Sequence, residues 1–492
     1  MSDGQPDLIF KQINRIIIPF TYDQDFQQAC STYLEAESSG KAMWKVKDFS
    51  LSGLFQHICG LISSEETDVS VGRRFVLDQT GRAYYGLPHK TNTIFTLGLK
   101  KKTIALTIPA VQVVLFKSGV GFVVVELGYK EDAEIEDVID GNYFFKSFHR
   151  SDLEMSFIKT IAKDESAEVR ITPSQLILNF INHLNVLDFF NDKDSKAGNS
   201  IVGAHALVYS GILFDRFFSN LTEYEEQLKQ YLFWMRRSFK ESYKPAPGEF
   251  SLDNNPEVLQ LFQNSYWGIS VEGLANIAYL VDDDETNQFF SGNYYGNLEN
   301  TYFFMYLLAL HQRYTLLKFI KEAALLPYPL DRKISYKEAQ DLNEQIYRLR
   351  KKIAYFVLRS TFYQVSNITH HNKLYKQIQQ SLGITDLQNE LELELQMLAS
   401  INSIEEQIRR DRKDEREKSL EDFITLISTM FVLITTTQAV WSMYTYYVLK
   451  QIPPLWSSGF WVSVIILLIM WVTALLGYAY FSRKRRTAAK DN

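Results

Sequence analysis

Cysteine, charge imbalance and catalytic motifs are all scarce in this chain, and each scarcity excludes a class of protein. The two cysteines, Cys30 and Cys59, are too few for a disulfide framework or a four-cysteine zinc site, which predicts reduced thiols in an intracellular protein. The 52 basic and 58 acidic residues give a net charge of -6, so we expect no direct DNA or RNA binding. The sequence contains no P-loop, H-E-x-x-H or G-x-S-x-G motif, and we predict that the protein is not an enzyme.

Charged residues are also missing from two long stretches near the C-terminus. Residues 423–449 and 451–482 contain none, over 27 and 32 positions. About 20 apolar residues are enough for a helix to cross a bilayer. Lys450 and the Pro453-Pro454 pair lie between the two stretches, and proline interrupts a helix. The sequence therefore predicts a first transmembrane helix over 423–449 and a second over 452–482.

The charges that flank these stretches predict the orientation in the membrane. Residues 409–418 are all charged, six of them basic, and residues 483–486 are all basic. Basic segments stay on the cytoplasmic side. Residues 1–10 lack the basic and then apolar pattern of a signal peptide. We expect a multi-pass protein of the cell inner membrane, with two spans, both termini in the cytoplasm and a basic tail at 483–492.

Short apolar runs separated by turn residues predict strands in the first part of the chain. Residues 111–116 and 121–127 are almost continuously apolar and flank Lys117-Ser118-Gly119, a pattern typical of a β-hairpin. Residues 142–148 are interpreted as a further strand. These patterns predict a mixed α/β cytoplasmic domain over residues 1–172.

Apolar residues recur at helical spacing farther along the chain. They predict a helical cytoplasmic subdomain over residues 173–334, with one of its helices at 204–218. A helical stalk is predicted over 335–422, because no proline occurs between Pro329 and Pro453.

Leucine and isoleucine form a stripe along the stalk. Its members are Leu387, Leu391, Leu395, Leu398, Ile401 and Ile408. A stripe at this spacing on a long helix predicts partner helices and hence a parallel homo-oligomer. The alternative is packing onto another helix of the same chain.

The first predicted span has a face of small and hydroxylated residues. They follow a spacing of three and four: Thr425, Ser428, Val432, Thr435, Ala439, Ser442 and Tyr446. Hydroxyl groups suit a water-filled lumen, so we predict that this face lines a pore. The alternative is dry helix packing, which small residues also favour.

This architecture resembles the CorA superfamily. It combines an α/β cytoplasmic domain, a helical subdomain, a long stalk helix, two C-terminal transmembrane helices and a basic tail. The resemblance implies a pentameric divalent-cation channel whose first span lines the pore. The Gly-Met-Asn filter of that family is absent, because residues 446–454 read Tyr-Tyr-Val-Leu-Lys-Gln-Ile-Pro-Pro. No Asp or Glu lies between Asp422 and Asp491 to attract a hydrated cation.

Without the filter, the chain is most similar to the divergent CorA-like membrane effectors associated with type III CRISPR systems. That resemblance implies an oligomeric channel in antiviral defence, gated by a nucleotide messenger of the adenylated S-adenosylmethionine type. One alternative is a divalent metal-ion transporter of the CorA family, for Mg, Co, Ni or Zn. The other is a non-conducting membrane-anchored scaffold.

Two short segments are candidate ligand sites. The first combines an aromatic ring, a hydroxyl and glycines, in Trp267, Gly268, Ser270 and Gly273. It could approach the adenine or ribose of a nucleotide, but the pattern favours a helix start. The second is the acidic run Asp282, Asp283, Asp284 and Glu285, which could hold a regulatory divalent cation or form a solvated loop. The adjacent His370 and His371 are predicted to lie in an exposed loop.

Overall fold

The structure of the protein is a computed structural model that divides into two compact units, Met1–Leu398 and Ala399–Asn492. It describes residues 9–65, 67–87, 95–99, 102–130, 133–150, 153–162, 165–189, 201, 206–215, 221–239, 244–246, 249, 257–326, 336–447, 461, 465, 468, 469, 471 and 472.

A mixed β-sheet forms the centre of the first unit. Its strands are β1 (Ile9–Tyr22), β4 (Trp44–Val46), β5 (Gly72–Leu77), β8 (Val111–Phe116), β9 (Val120–Leu127), β12 (Val186–Asp188), β13 (Leu207–Phe214), β14 (Val258–Phe262), β15 (Ser265–Ile269) and β16 (Gly273–Tyr279). They lie in the order β14-β15-β16-β13-β1-β9-β8-β5-β4, and β12 also pairs with β1. Neighbouring strands are antiparallel except for the parallel pair β13 and β16.

Two smaller sheets accompany it. The strands β6 (Phe95–Leu99), β7 (Lys102–Leu106), β10 (Glu154–Ala162) and β11 (Glu165–Ile171) form a four-stranded sheet in the order β11-β10-β6-β7. The short strands β2 (Glu37–Ser38) and β3 (Lys41–Ala42) pair with each other.

Helices cover both faces of the central sheet. They are α1 (Phe26–Leu34), α2 (Gln56–Cys59), α3 (Gln79–Tyr84), α4 (Ile135–Lys146), α5 (Pro173–Ile181), α6 (Leu221–Arg237), α7 (Asp284–Phe289), α8 (Tyr295–Glu299), α9 (Thr301–Ala324), α10 (Tyr336–Ser360), α11 (Thr369–Ser381) and α12 (Ile384–Tyr447). A π-helical turn, Phe290–Tyr294, joins α7 to α8. Buried side chains of α1, α4, α5 and α6 share one hydrophobic cluster, and those of α9, α10, α11 and the start of α12 share the other.

The central strands are apolar on both sides because both sheet faces are covered. In β9, Val123 and Val125 belong to one hydrophobic cluster, whereas Phe122 and Val124 belong to the other. The hairpin predicted between residues 111–116 and 121–127 is confirmed, since β8 and β9 pair antiparallel. Its turn places Gly119 at a φ of +76°, a conformation that favours glycine.

Strands correct the predicted helical subdomain over residues 173–334. The helix predicted at 204–218 is instead the strand β13, which pairs with β1 and continues the sheet past the boundary predicted at residue 172. All eight β13 residues are buried, and such an apolar run does not distinguish a strand from a buried helix. The strand predicted at 142–148 is also wrong, because Ile135–Lys146 forms the helix α4.

The first part of the stalk predicted over 335–422 forms two separate helices, α10 and α11, whereas its last part continues into the first predicted span as the long helix α12. The range of α12 belongs to both units. Its first turns pack within the first unit, where Leu391 and Leu395 are buried. Arg350 Nη2 of α10 donates a hydrogen bond to the Leu395 carbonyl oxygen at 3.0 Å. The stripe on the stalk therefore packs, at this end, against a helix of the same chain.

One helical segment among the described residues is long and apolar enough, by length and composition, to cross a membrane. This is Lys413–Ser442, with a mean hydropathy of 1.7, and none of it is buried within the chain. Apart from six isolated positions, the second predicted span at 452–482 lies outside the described residues, as does the basic tail at 483–492.

Candidate functional site

The predicted pore-lining face of α12 is exposed within the chain at every position whose side chain is described. These positions are Thr425, Ser428, Val432, Thr435 and Ser442, whereas the side chains of Ala439 and Tyr446 lie outside the described set. The threonine hydroxyls bond to the helix itself. Thr425 Oγ1 donates to the Glu421 carbonyl at 2.8 Å, and Thr435 Oγ1 donates to the Phe431 carbonyl at 2.9 Å. Because each hydroxyl is satisfied by its own helix, this face can contact lipid, another helix or water.

The predicted ligand residues Trp267, Gly268, Ser270 and Gly273 lie on β15, β16 and the turn between them, where α6 packs on the sheet. A side chain added at Gly268 would lie 2.9 Å from Arg236 Cδ, and one at Gly273 would lie 2.5 Å from the Val208 carbonyl oxygen. Ser270 Oγ donates to the Arg236 carbonyl at 2.7 Å. The antiparallel pairing of β15 and β16 corrects the alternative of a helix start, and the close contacts give the glycines a packing role.

This segment presents almost no surface to a ligand. Trp267 and Ser270 are 0% and 1% exposed, and the Trp267 ring packs edge-on against Tyr302. Beside the turn, the buried Arg236 forms ion pairs with Glu249 and Glu257 that tie the end of α6 to β14 and to the preceding loop. The glycines and Ser270 thus help attach α6 to the sheet, and a ligand-binding role for the four residues stays a prediction.

The acidic run Asp282–Glu285 lies at the start of α7, and all four side chains are exposed. Asp283 is the N-cap, since its carboxylate accepts hydrogen bonds from the Thr286 hydroxyl and backbone N–H, and these bonds lower the pKa of Asp283. No group of three or more His, Cys, Asp or Glu side chains among the described residues is placed to hold a metal ion. The part of the chain that the structure describes therefore groups no ligands around this run, and a metal site completed by a second subunit stays a prediction.

The histidine pair predicted in an exposed loop belongs instead to α11. His371 is 1% exposed and packs edge-on against the Tyr302 ring at 5.4 Å. Burial and the neighbouring His370 lower the pKa of His371 to about 4, so it is neutral at pH 7. His371 thus helps attach α11 to α9, and His370 packs against Phe262 of β14.

A cleft that the sequence analysis missed lies within the first unit. It has a volume of about 480 Å³ and is lined by Val71 and by four segments: residues 22–27, the β8–β9 turn, α9 from His311 onwards and the end of α10. A volume of several hundred Å³ is typical of sites for small molecules. We refer to it as the α9–α10 cleft.

Polar side chains from α9 and the hairpin line one wall of the α9–α10 cleft. The Ser118 hydroxyl lies 3.0 Å from His311 Nε2 and accepts a hydrogen bond from Thr315 Oγ1 at 3.0 Å. The His311 ring stacks on Phe116 with 3.9 Å between ring centroids. Burial lowers the pKa of His311 to about 3, and its Nδ1 has no hydrogen-bond partner.

Basic side chains surround the same cleft. Lys318 Nζ donates to the Ser118 carbonyl at 2.9 Å, and burial lowers the pKa of Lys318. Lys352 forms an ion pair with Glu322 at 3.2 Å, and the Arg359 guanidinium lies 4.5 Å from the centre of the Tyr355 ring.

The cleft also carries Lys117, whose ammonium lies 5.7 Å from the centre of the Phe26 ring. The acidic side chains that line it are Asp23, Asp25 and Glu322. Four basic and three acidic groups beside aromatic rings could receive a charged ligand that has a flat apolar part.

Comparisons with known proteins give no family assignment. No family model matches the chain, and no curated protein matches it. One similar solved structure is the CorA magnesium transporter from Methanocaldococcus jannaschii, with 14% sequence identity and a TM-score of 0.24. The match covers 57% of this chain and 91% of that chain. At this score the two structures share too little geometry for the likeness to support an assignment of function.

Proposed function

We propose that this chain is a CorA-like, homo-oligomeric membrane channel of the effector type, opened by a ligand that binds its α/β unit. The observation that carries the proposal is α12. This one helix begins at Ile384 among buried side chains of the α/β unit and continues through the apolar segment Lys413–Ser442. A continuous helix gives a ligand-binding domain a direct covalent route to a membrane span.

The surface of the apolar segment supports its insertion into a membrane. Phe431 and Val432 are each 61% exposed within the chain, and Val440 is 66% exposed. Burying an apolar side chain of this size contributes roughly 1.5–3 kcal/mol, so a helix with many of them requires lipid or partner helices around it. Insertion places the uncharged part of the segment, from residue 423 onwards, in the inner membrane, and the charged residues 409–418 remain on the cytoplasmic side.

A pore requires several copies of this helix. In an assembly of subunits, the hydroxylated face with Thr425, Ser428 and Thr435 turns towards the axis, and the ring of Val432 side chains narrows the lumen. By family resemblance we propose a pentamer. The role is conduction or leakage and not catalysis, and the ligand is a nucleotide messenger such as adenylated S-adenosylmethionine, in type III CRISPR defence.

Gating in this scheme follows from differential affinity. A ligand opens the channel only if it binds the open state more tightly than the closed state, and a shift from 1:99 to 99:1 requires a preference of about 10⁴-fold. The ligand must therefore contact an element that moves with α12.

Ion flux from proteoliposomes tests the proposal. The purified full chain is reconstituted in vesicles loaded with a fluorescent dye and, separately, with a magnesium indicator. Dye leakage that depends on adenylated S-adenosylmethionine supports the effector. Magnesium-selective flux without nucleotide indicates a transporter instead, and no flux in either vesicle indicates a scaffold.

A further inference from the structure

We propose that the α9–α10 cleft is a nucleotide site and that α10 transmits its occupancy to the start of α12. The binding half, that the cleft takes a nucleotide, is argued from the cleft alone. The transmission half, that α10 couples the cleft to α12, rests on the proposed channel function. Each half has its own measurement.

The cleft has basic groups for the phosphates of a nucleotide and aromatic rings for its base. Lys352 and Arg359 lie one above the other on α10, seven residues apart, and Lys117 faces the same cavity from the hairpin. Together they can bind phosphate oxygens, for which arginine and lysine are the usual partners in proteins. The rings of Phe26 and Tyr355 line the cavity as well and can stack on a base.

Two buried polar atoms in residues that line the cleft have no hydrogen-bond partner among the described residues. They are Gln24 Oε1 and His311 Nδ1, both in residues that line the cavity. Both atoms are inaccessible to solvent, so the amino group and ring nitrogens of a bound base would satisfy them only if the Gln24 and His311 side chains turned towards the cavity.

The acidic groups at the cleft narrow the ligand class further. Asp23 and Asp25 line the cavity and would repel a ligand with several negative charges and no positive one. They would attract a cationic group on the same molecule. The chemistry therefore favours a nucleotide with few phosphates that also carries a positive charge.

Helix α10 has one face towards the cleft and another towards α12. Lys352, Tyr355 and Arg359 line the cavity, at a spacing of three and four. Leu349 is buried in the cluster that also contains Leu391 and Leu395 of α12. A ligand that draws the first face inwards would shift the second face, to which α12 is attached.

A hydrogen bond fixes this attachment at one point. Arg350 Nη2 donates to the Leu395 carbonyl at 3.0 Å, whereas Arg348, two residues earlier, pairs only locally with Glu344 in the same helix. Arg350 does not line the cleft. Substitution of Arg350, with Arg348 as the control, therefore tests transmission to α12 without changing the ligand site.

Calorimetry with the full chain in detergent tests the binding half. The probes are adenylated S-adenosylmethionine, ATP and pyrophosphate, and the variants are Arg359→Ala, Lys352→Ala and the exposed control Lys351→Ala. We expect adenylated S-adenosylmethionine to bind best, and the two cleft variants to weaken it about tenfold or more, as for the loss of a charged hydrogen bond. The control should bind as the parent does, and unchanged thermal unfolding shows that each variant is folded.

Several results would overturn the site. They are no binding of either nucleotide by the parent, unchanged affinity in both cleft variants, or pyrophosphate binding as tightly as the nucleotides. None of these readouts depends on a conducting pore, so the site and the channel can fail independently.

Dye leakage from proteoliposomes tests the transmission half. Arg350→Ala should bind the nucleotide with the affinity of the parent but require at least tenfold more of it for half-maximal leakage, while Arg348→Ala should behave as the parent. Parental leakage by Arg350→Ala with intact binding would overturn the role of α10. A parent that binds nucleotide and never leaks would instead refute the proposed function and leave the site standing.

Discussion

The attachment of α12 to the α/β unit gives the sharpest prediction, because the helix carries its own control. Leu391 is 2% exposed in the cluster of α9, α10, α11 and α12, whereas Leu393, two residues later, is 54% exposed. Replacing either leucine by alanine, in Leu391→Ala or Leu393→Ala, changes the helix propensity by the same amount. Their difference therefore isolates burial. Removing a buried leucine side chain costs about 2–5 kcal/mol, and an exposed one less than about 0.5 kcal/mol.

Hydrogen exchange of the full chain in detergent measures this difference locally. In Leu391→Ala, the backbone amides at the start of α12 should exchange about 30-fold faster or more, since each 1.4 kcal/mol corresponds to a factor of ten in the opening equilibrium. In Leu393→Ala they should exchange as in the parent. Equal acceleration by both variants, or none by Leu391→Ala, would refute the packing of the stalk against its own chain.

Three further predictions concern the pore, the sheet and a buried histidine. Val432→Ser should cause dye leakage from proteoliposomes without ligand because it hydrates the predicted constriction, whereas leakage from Ile434→Ser instead would contradict the assigned face. Gly273→Ala should lower the free energy of unfolding by about 1–3 kcal/mol in urea titrations, because its Cβ would meet the Val208 carbonyl oxygen; Gly296→Ala, where the space is open, should not. The pKa of His371 is lowered to about 4, below its unfolded value of about 6.5. Between these pH values the unfolded state therefore binds more protons than the folded state. The free energy of unfolding should fall as the pH falls from 6.5 to 4, and in His371→Phe it should fall by less.

The elements that could be predicted from the sequence are those whose signal is local. A run without charge is a property of neighbouring residues, and it predicts the apolar segment of α12. The stretch without proline does not predict where α12 begins, because α10 and α11 end before it without a proline. The β8–β9 hairpin was predicted for the same reason, since Gly119 sits at the turn. The strand β13 was not, because a segment buried on all sides has no periodicity to indicate strand or helix.

The α9–α10 cleft could not be predicted, because its parts are distant in sequence. It joins Gln24, Ser118, His311 and Arg359, and only the fold brings these four positions to one cavity. Local composition was also misleading at the acidic run, where Asp283 caps a helix. A carboxylate that caps a helix and a carboxylate that binds a metal ion look the same in the sequence. Only the geometry of the folded chain distinguishes them.

Cysteine accessibility along α12 tests the central claim most directly. Single cysteines are placed at positions across the apolar segment of a chain whose native Cys30 and Cys59 are alanine, and the protein in liposomes is treated with a water-soluble thiol reagent. If α12 lines a pore, we expect labelling at Thr425→Cys and Ser428→Cys that increases with ligand, and protection at Ile427→Cys. Uniform labelling would show that the segment lies in water, and uniform protection with and without ligand would show that it lines no pore.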